Sequence, residues 1–163
     1  MKTLLILRHG KSSWEDEHLA DYDRPLKKRG KADAVKMGEL LRKQDLTPEL
    51  IISSTARRAR TTAILTAEAC HYDNELKHTR DFYGAEPEDY IRVLRQLDNS
   101  YQRVMIVGHN PGLELLLETL TDAYESLPTA ALAQVSLPID AWKSLSEDIH
   151  GTLVNLWVPR ALA

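Results

Sequence analysis

The sequence contains very little cysteine, since Cys70 is its single thiol among 163 residues. One cysteine cannot form a disulfide within the chain, which agrees with a reducing compartment. An excess of basic charge is also absent, because 21 lysines and arginines face 24 aspartates and glutamates, for a net charge of −3. Proteins that bind nucleic acid need surplus positive charge, so we expect no nucleic-acid partner.

Long hydrophobic stretches are missing too. The apolar run near the start, Thr3 to Leu7, has only five residues, which is too short for the core of a signal peptide. The longest stretch without a charged residue, Ser126 to Ile139, contains two prolines and is shorter than a membrane-spanning helix. We therefore expect a cytoplasmic protein with no membrane partner.

Several enzyme signatures are absent from the sequence. It has neither a Gly-x-x-x-x-Gly-Lys-Ser/Thr phosphate loop nor a Gly-x-Ser-x-Gly nucleophile elbow. Cys70 is followed six residues later by leucine rather than arginine, which excludes the loop of a cysteine-dependent phosphatase. His71 and His78 lack metal-ligand spacing, and we take them, with His18 and His150, as surface or turn residues. We expect no metal and no other cofactor.

The pattern that is present is that of an α/β protein. The length fits one domain, 1–163. Apolar runs alternate with amphipathic segments, which predicts a three-layer α/β/α sandwich around a mostly parallel sheet. The predicted strands are Thr3–Leu7, Leu50–Ile52, Val104–Val107, Ala133–Leu137 and Thr152–Val158. The predicted helices are Lys31–Gln44, Ala56–Cys70 (with Ser54 or Thr55 as N-cap), Glu88–Leu97, Leu113–Leu120 and a short one at Asp140–Leu145.

Three polar clusters each follow a predicted strand directly. They are Arg8-His9-Gly10, Ser53 to Arg58, and Gly108-His109-Asn110. The carboxyl ends of parallel strands lie at one edge of a sheet, and ligands bind outside that edge. We therefore expect the three clusters to meet in one site.

The residues of these clusters suit phosphate chemistry. Arginines such as Arg8 and Arg58 bind phosphoryl oxygens in bidentate fashion and stay charged at physiological pH. The starts of two predicted helices would add N–H donors for an anion. A neutral imidazole, of His9 or His109, could attack phosphorus, and nearby cations would lower its pKa and keep it uncharged. Taken singly, each residue also has a structural explanation, as a turn or helix cap.

The clusters resemble the motifs of a known family. Arg8-His9-Gly10 after a first strand resembles the signature of the histidine phosphatase superfamily, which the phosphoglycerate-mutase branch shares. Residues 53–62 resemble the second motif, and Gly108-His109-Asn110 resembles the third. The segments Arg8–Trp14 and Asp23–Gly30 are similar to small phosphohistidine phosphatases of the SixA type. The resemblance covers about residues 1–120, and it implies a phosphoglycerate-mutase-like fold.

The resemblance also implies roles for individual residues. His9 would be the phosphorylated nucleophile, and His109 would stabilise charge in the transition state. Arg24 would line the entrance to the pocket or be a surface arginine before a turn. Apart from the resemblance, the position of Trp14 beside the first motif predicts that it either covers the pocket mouth or only packs. The implied catalytic residues are Arg8, His9, Arg58 and His109, and the implied substrate-binding residues are Arg8, Gly10, Arg24, Arg58 and Asn110. Arg57 and Arg60 would point elsewhere.

One region departs from the pattern of many relatives. Many relatives that cleave phosphate esters carry a glutamate general acid between the second and third motifs. In that region this chain offers Asp81 and Glu86, in contexts that do not match. An alcohol, with a pKa on the order of water's 15.7, leaves poorly without a proton donor. Imidazole, whose conjugate acid has a pKa of about 6.5, leaves without one. The departure favours phosphohistidine substrates, unless Asp81 or Glu86 reaches the site from its loop.

The predicted function is hydrolysis of a phosphoryl group through a phosphohistidine enzyme intermediate, with phosphohistidine on a protein as the expected substrate. The alternatives are a small-molecule phosphomonoesterase with the same chemistry and an inactive module that binds phosphoproteins. A mutase is less favoured, because mutases usually need a longer chain to enclose the substrate. The partner would be a phosphorylated protein domain or a small phosphate compound, and we expect a monomer.

Overall fold

A computed structural model describes residues 1–162 and contains a six-stranded sheet. The strands are β1 (Lys2–Arg8), β2 (Leu50–Ser54), β3 (Leu76–Thr79), β4 (Arg103–Gly108), β5 (Leu132–Leu137) and β6 (Thr152–Trp157). The helices are α1 (Lys28–Lys43), α2 (Arg57–Ala69), α3 (Pro87–Leu94) and α4 (Gly112–Thr121). Short 3₁₀ helices lie at Asp21–Asp23, Arg80–Phe82, Trp142–Ser144 and Pro159–Ala161. No helix among residues 1–162 is both long and apolar enough to cross a membrane.

The sheet has the strand order β3-β2-β4-β1-β5-β6. The pairs β3–β2, β2–β4 and β4–β1 are parallel, whereas β5 runs antiparallel to both β1 and β6. Helical crossovers connect the parallel strands, as this geometry requires. The sheet is therefore mostly parallel, as the sequence predicts, and the carboxyl ends of β1, β2 and β4 lie side by side.

Alternation along the buried strands gives the sheet two apolar faces. In β1, Leu4 and Ile6 belong to one core cluster, which also contains the buried side chains of α3 and α4. Leu5 and Leu7 belong to the other cluster, with the buried side chains of α1 and α2. Side chains of a strand point alternately to opposite faces, so a continuous apolar run is needed where helices cover both. The predicted three-layer α/β/α sandwich is confirmed.

Some details of the fold differ from the sequence prediction. Strand β3, Leu76–Thr79, was not predicted, because it is a short edge strand in which no residue is fully buried. Helix α1 begins three residues earlier than predicted, so Gly30 lies in its first turn. The prediction that Ser54 or Thr55 caps α2 is wrong. Ser54 ends β2, and Ala56 is the N-cap residue, with no side-chain capping bond.

Candidate active site

The three polar clusters meet where β1, β2 and β4 end. Arg8, the last residue of β1, pairs in register with Gly108, the last residue of β4. The His9 N–H donates to the Gly108 carbonyl at 3.2 Å, which continues the pairing one residue beyond the strand. The imidazoles of His9 and His109 consequently lie side by side, with 5.2 Å between their ring centroids.

A cavity of about 230 Å³ opens at this edge of the sheet. Its lining residues are Arg8, His9, Lys11, Ser12, Trp14, Arg24, Arg58, His109, Asn110 and Thr129. All four residues predicted to be catalytic therefore line the same cavity. Within residues 1–162, the lining set includes neither aspartate nor glutamate. Over the same residues, no group of three His, Cys, Asp or Glu side chains is placed to hold a metal ion.

His9 is buried and held in one orientation. Its Nδ1 lies 2.7 Å from the Gly10 carbonyl oxygen. A carbonyl can only accept a hydrogen bond, so Nδ1 carries the proton and Nε2 keeps its lone pair. Burial lowers the pKa of His9 to about 3, and the charges of His109, Arg58 and Arg8 add to the effect. The ring is thus neutral at pH 7, although burial rather than the predicted cations is the main cause.

His109 is held through the opposite nitrogen. Its Nε2 lies 2.9 Å from the Ser54 hydroxyl oxygen, which itself accepts the Ala56 N–H at 3.2 Å. The hydroxyl proton of Ser54 is free to be donated to Nε2, which would leave Nδ1 protonated. Nδ1 is buried and has no protein partner in the described chain. Burial, followed by the charge of Arg58, lowers the pKa of His109 to about 4.

Arg58 lies in the first turn of α2 and turns into the cavity. Its side chain is buried, whereas Arg57 and Arg60 are exposed, as the sequence predicts. Asp21 holds the guanidinium at two points. Nη1 donates to the Asp21 carbonyl at 2.7 Å, and Nη2 donates to its carboxylate Oδ2 at 3.0 Å.

Arg8 and Asn110 are both tied to the loop that precedes β5. Arg8 Nη1 and Asn110 Nδ2 donate to the same Leu127 carbonyl, at 3.0 Å and 2.8 Å. Burial lowers the pKa of Arg8 from its ordinary value, but a guanidinium keeps its charge in proteins. The guanidinium groups of Arg8 and Arg58 therefore lie beside two neutral imidazoles, which is an arrangement suited to a phosphate dianion.

Gly10 supports the site through its backbone. Its N–H donates to the Thr62 hydroxyl at 3.0 Å, so this predicted substrate donor is engaged within the protein. Thr62 in turn donates to the Arg58 carbonyl at 2.7 Å, which ties the segment after β1, here called the catalytic loop (residues 9–11), to α2. A Cβ at Gly10 would lie 2.5 Å from the Gly30 carbonyl oxygen, so this close approach requires glycine.

Arg24 lines the cavity, but its donors are used within its own loop. They contact the Ser13 carbonyl at 3.1 Å, the Ser12 hydroxyl at 2.5 Å and the Asp21 carboxylate at 3.1 Å. Trp14 stacks on the Arg24 guanidinium at 3.1 Å and remains 71% exposed. Trp14 thus lies at the rim of the cavity and covers Arg24.

The two carboxylates considered as general acids lie elsewhere. Asp81 is exposed in the 3₁₀ helix Arg80–Phe82. Glu86 is also exposed and forms the capping box of α3 with Asp89. Tyr83, from the same segment, packs edge-on against His109 at 5.6 Å between ring centroids.

Sequence reasoning missed three residues that support the site. Asp21 binds Arg58, Tyr83 packs on His109, and Thr62 binds Gly10. Only Thr62 carried a signal, since it lies one turn after Arg58 on the same helix and faces the same way. The partners of Asp21 and Tyr83 depend on how distant loops meet, which no local pattern indicates.

The fold and the site together define an α/β enzyme of phosphate chemistry. Residues 4–82 match the sequence profile of the histidine phosphatase superfamily (branch 1). An uncharacterised chloroplast protein of Arabidopsis thaliana is 32% identical over 87% of this chain and 69% of its own length. An uncharacterised protein of Mycobacterium tuberculosis is 31% identical over 94% of this chain and 100% of its own length.

The structural comparison agrees with the sequence matches. A crystal structure of a protein assigned as the phosphohistidine phosphatase SixA of Agrobacterium tumefaciens superposes with a TM-score of 0.82. The two chains are 28% identical, and the match covers 97% of this chain and 98% of the other. The chain belongs to the histidine phosphatase superfamily, and its structure is of the SixA type.

Proposed function

We propose that the protein is a phosphohistidine phosphatase that removes the phosphoryl group from histidine on a protein through a covalent intermediate on His9. The observation that carries the proposal is the absence of a carboxylic acid from the lining of the cavity, as far as residues 1–162 describe it. Without such an acid the site favours a leaving group that departs unaided, and imidazole is such a group.

Two ionisable groups beside the cavity, Asp21 and Tyr83, are poor proton donors. Hydrogen bonds from Tyr83, Arg24 and Arg58 outweigh the effect of burial and lower the pKa of Asp21 to about 2, so it is ionised at pH 7. Burial and the hydrogen bond to Asp21 raise the pKa of Tyr83, which makes the phenol a weaker acid than usual. An alkoxide leaving group would find no effective acid among these groups.

The proposed reaction has two displacements at phosphorus. In the first, His9 Nε2 attacks, the P–N bond of the substrate breaks, and the substrate imidazole takes the bonding electron pair. If its other nitrogen is already protonated, it leaves as neutral imidazole. In the second, a water oxygen attacks phosphorus, the P–Nε2 bond breaks with its electron pair returning to Nε2, and both water protons stay with the phosphate, which is released as dihydrogen phosphate.

The Gly10 carbonyl serves both steps. It accepts the Nδ1–H of His9 at 2.7 Å, so it supports the positive charge that the ring gains when Nε2 binds phosphorus. Arg8 and Arg58 would bind the equatorial oxygens, and the uncommitted Nδ1–H of His109 would offer a further donor. Donors fixed before the reaction stabilise developing charge without reorganisation.

The surroundings of the cavity support a protein substrate. Trp14 is 71% exposed at the rim, and exposed aromatic side chains are common anchors in protein interfaces. A groove of about 340 Å³ shares Thr129 with the cavity and is lined by three basic side chains, Arg29, Lys36 and Arg160. A small phosphate compound would use little of this surface. The likeness to the Agrobacterium protein, which is assigned as a phosphohistidine phosphatase, supports the same substrate class.

A substrate panel tests the proposal. We expect hydrolysis of a phosphohistidine peptide to exceed that of a phosphoserine peptide at equal concentration. His9→Ala should reduce turnover by about 10⁴-fold or more, as expected when a nucleophile is removed. His150→Ala, at an exposed histidine, is the matched control and should keep full activity. Acid-free quenching should trap one phosphoryl group on His9, and an active His9→Ala enzyme would refute the mechanism.

Aryl phosphates of graded leaving-group pKa separate this function from a general phosphomonoesterase. We expect the rate to fall steeply as the leaving-group pKa rises, with no change in Asp81→Asn or Glu86→Gln. A shallow dependence that steepens in either variant would identify a general acid. That result would assign the protein to the small-molecule phosphomonoesterases.

A further inference from the structure

Asp21 is the centre of a polar cluster beside the cavity, which we call the Asp21 cluster (Asp21, Arg24, Arg58 and Tyr83). Its carboxylate accepts hydrogen bonds from Arg58 at 3.0 Å, Arg24 at 3.1 Å and Tyr83 at 2.7 Å. Its backbone carbonyl accepts a second bond from Arg58, at 2.7 Å. Four hydrogen bonds from side chains thus converge on one residue, in addition to the backbone bond from the Arg24 N–H to the Asp21 carbonyl at 3.2 Å.

The cluster joins parts of the site that are distant in the chain. Asp21 belongs to the 3₁₀ helix Asp21–Asp23, Arg58 to α2, and Tyr83 to the segment after β3. Tyr83 is 62 residues away from Asp21, and its ring also packs on His109. The Asp21 carboxylate therefore binds Arg58 directly and also binds Tyr83, whose ring packs on His109.

The core of the fold does not explain this arrangement. The Asp21 side chain is 47% exposed, and the 3₁₀ helix that carries it has no buried residue. The Arg24 and Arg58 side chains that it pairs with are 7% and 9% exposed, so any contribution of Asp21 to stability comes from these two arginines and not from the apolar core. What needs explanation is that two different nitrogens of the Arg58 guanidinium both donate to Asp21.

Substrate affinity does not explain it either. A carboxylate bonded to Arg58 repels a phosphate dianion and partly neutralises the cation that would bind it. Orientation of the guanidinium does explain it. Arg58 has five N–H groups, of which Asp21 takes two at separate nitrogens. Two-point attachment fixes the plane of the fork and leaves three N–H groups for another ligand.

We propose that Asp21 is a positioning residue, which orients the Arg58 guanidinium toward the phosphoryl group undergoing transfer and holds Tyr83 against His109. The inference rests on the proposed function, in which Arg58 contacts that group. Misplacement of such a side chain affects the transition state more than the bound substrate.

The inference predicts a separation of kcat from KM. Asp21→Ala should lower kcat by about 10- to 100-fold, as supporting residues of reactive sites commonly do. KM for para-nitrophenyl phosphate and for phosphoramidate should stay the same or fall, because a negative charge has been removed. Asp21→Asn keeps an acceptor for Arg58 and should recover part of the kcat.

The matched control is Asp23→Ala. Asp23 is exposed in the same 3₁₀ helix, and its side chain makes none of the contacts of the Asp21 cluster. We expect Asp23→Ala to keep wild-type kcat, KM and thermal midpoint. Tyr83→Phe, which removes only one bond to Asp21, should lower kcat less than Asp21→Ala does.

Four results would overturn the inference. Unchanged kcat with a lower KM in Asp21→Ala would make Asp21 only a competing anion. A fall in thermal midpoint that accounts for the lost activity would make its role structural. If the wild type hydrolyses no substrate, the proposed function fails and this inference fails with it. If the wild type is active and the Asp21→Ala variant is equally active, only this inference fails.

Discussion

At the scale of single residues, one hydrogen bond on each imidazole decides which nitrogen is available. His9 is bound through Nδ1 to the Gly10 carbonyl, whereas His109 is bound through Nε2 to the Ser54 hydroxyl. The first contact leaves a lone pair, and the second allows a free N–H donor. Two identical side chains, 5.2 Å apart, are thereby suited to opposite tasks.

The affinity for inorganic phosphate tests which arginine serves the site. Arg58 is buried at the cavity and Arg60 is exposed on the same helix. Arg58→Ala should weaken phosphate or vanadate binding by roughly 1.5–3 kcal/mol, as expected for a charged hydrogen bond. Arg60→Ala should change it little. Isothermal titration calorimetry measures both, and the reverse order would mean that Arg58 is not the phosphate ligand.

At the scale of secondary-structure elements, sequence predicts the strands that carry the site better than the contacts that complete it. Strands β1 and β4 are continuous apolar runs with a motif directly behind them, so their position follows from pattern alone. Edge strand β3, with the sequence Leu-Lys-His-Thr, has no such pattern. The direction of β5 and the contact between Asp21 and Tyr83, 62 residues apart, arise only when the chain is folded.

Helix α1 contacts the catalytic loop at one glycine and α2 at another, which allows a matched test. A Cβ at Gly30 would lie 2.2 Å from the Lys11 carbonyl oxygen, and one at Gly38 would lie 2.5 Å from the Thr66 carbonyl oxygen. Both alanine variants should lose about 1–3 kcal/mol of unfolding free energy through overpacking. Only Gly30→Ala should also lower kcat, by about 10-fold, because it displaces the loop that holds His9.

Denaturant titration measures the loss of unfolding free energy in the Gly30→Ala and Gly38→Ala variants, and kinetics on the folded enzymes measure the change in kcat. The comparison depends on the close contact between Gly30 and the Lys11 backbone. Equal activity of the two variants would show that the position of the catalytic loop does not depend on α1.

At the scale of the whole molecule, the buried histidine pair links stability to pH. The pKa values of His9 and His109 are lowered to about 3 and about 4 in the folded protein. In the unfolded chain a histidine has a pKa of about 6.5. Between these values the unfolded state binds more protons, so stability falls as the pH is lowered. Asp21, lowered to about 2, acts in the same direction but only at more acidic pH.

Urea unfolding at pH 7 and at pH 5 measures how much unfolding free energy is lost over this interval. Each histidine should contribute roughly 2 kcal/mol of lost unfolding free energy over that interval, because the unfolded form gains most of its proton there while the folded form stays neutral. His9→Gln removes one titrating group and should therefore reduce the pH dependence by roughly 2 kcal/mol. His150→Gln, at an exposed position, should leave it unchanged. Parallel slopes for wild type and His9→Gln would show that His9 is protonated in the folded state at pH 5, and a protonated ring could not act as the nucleophile there.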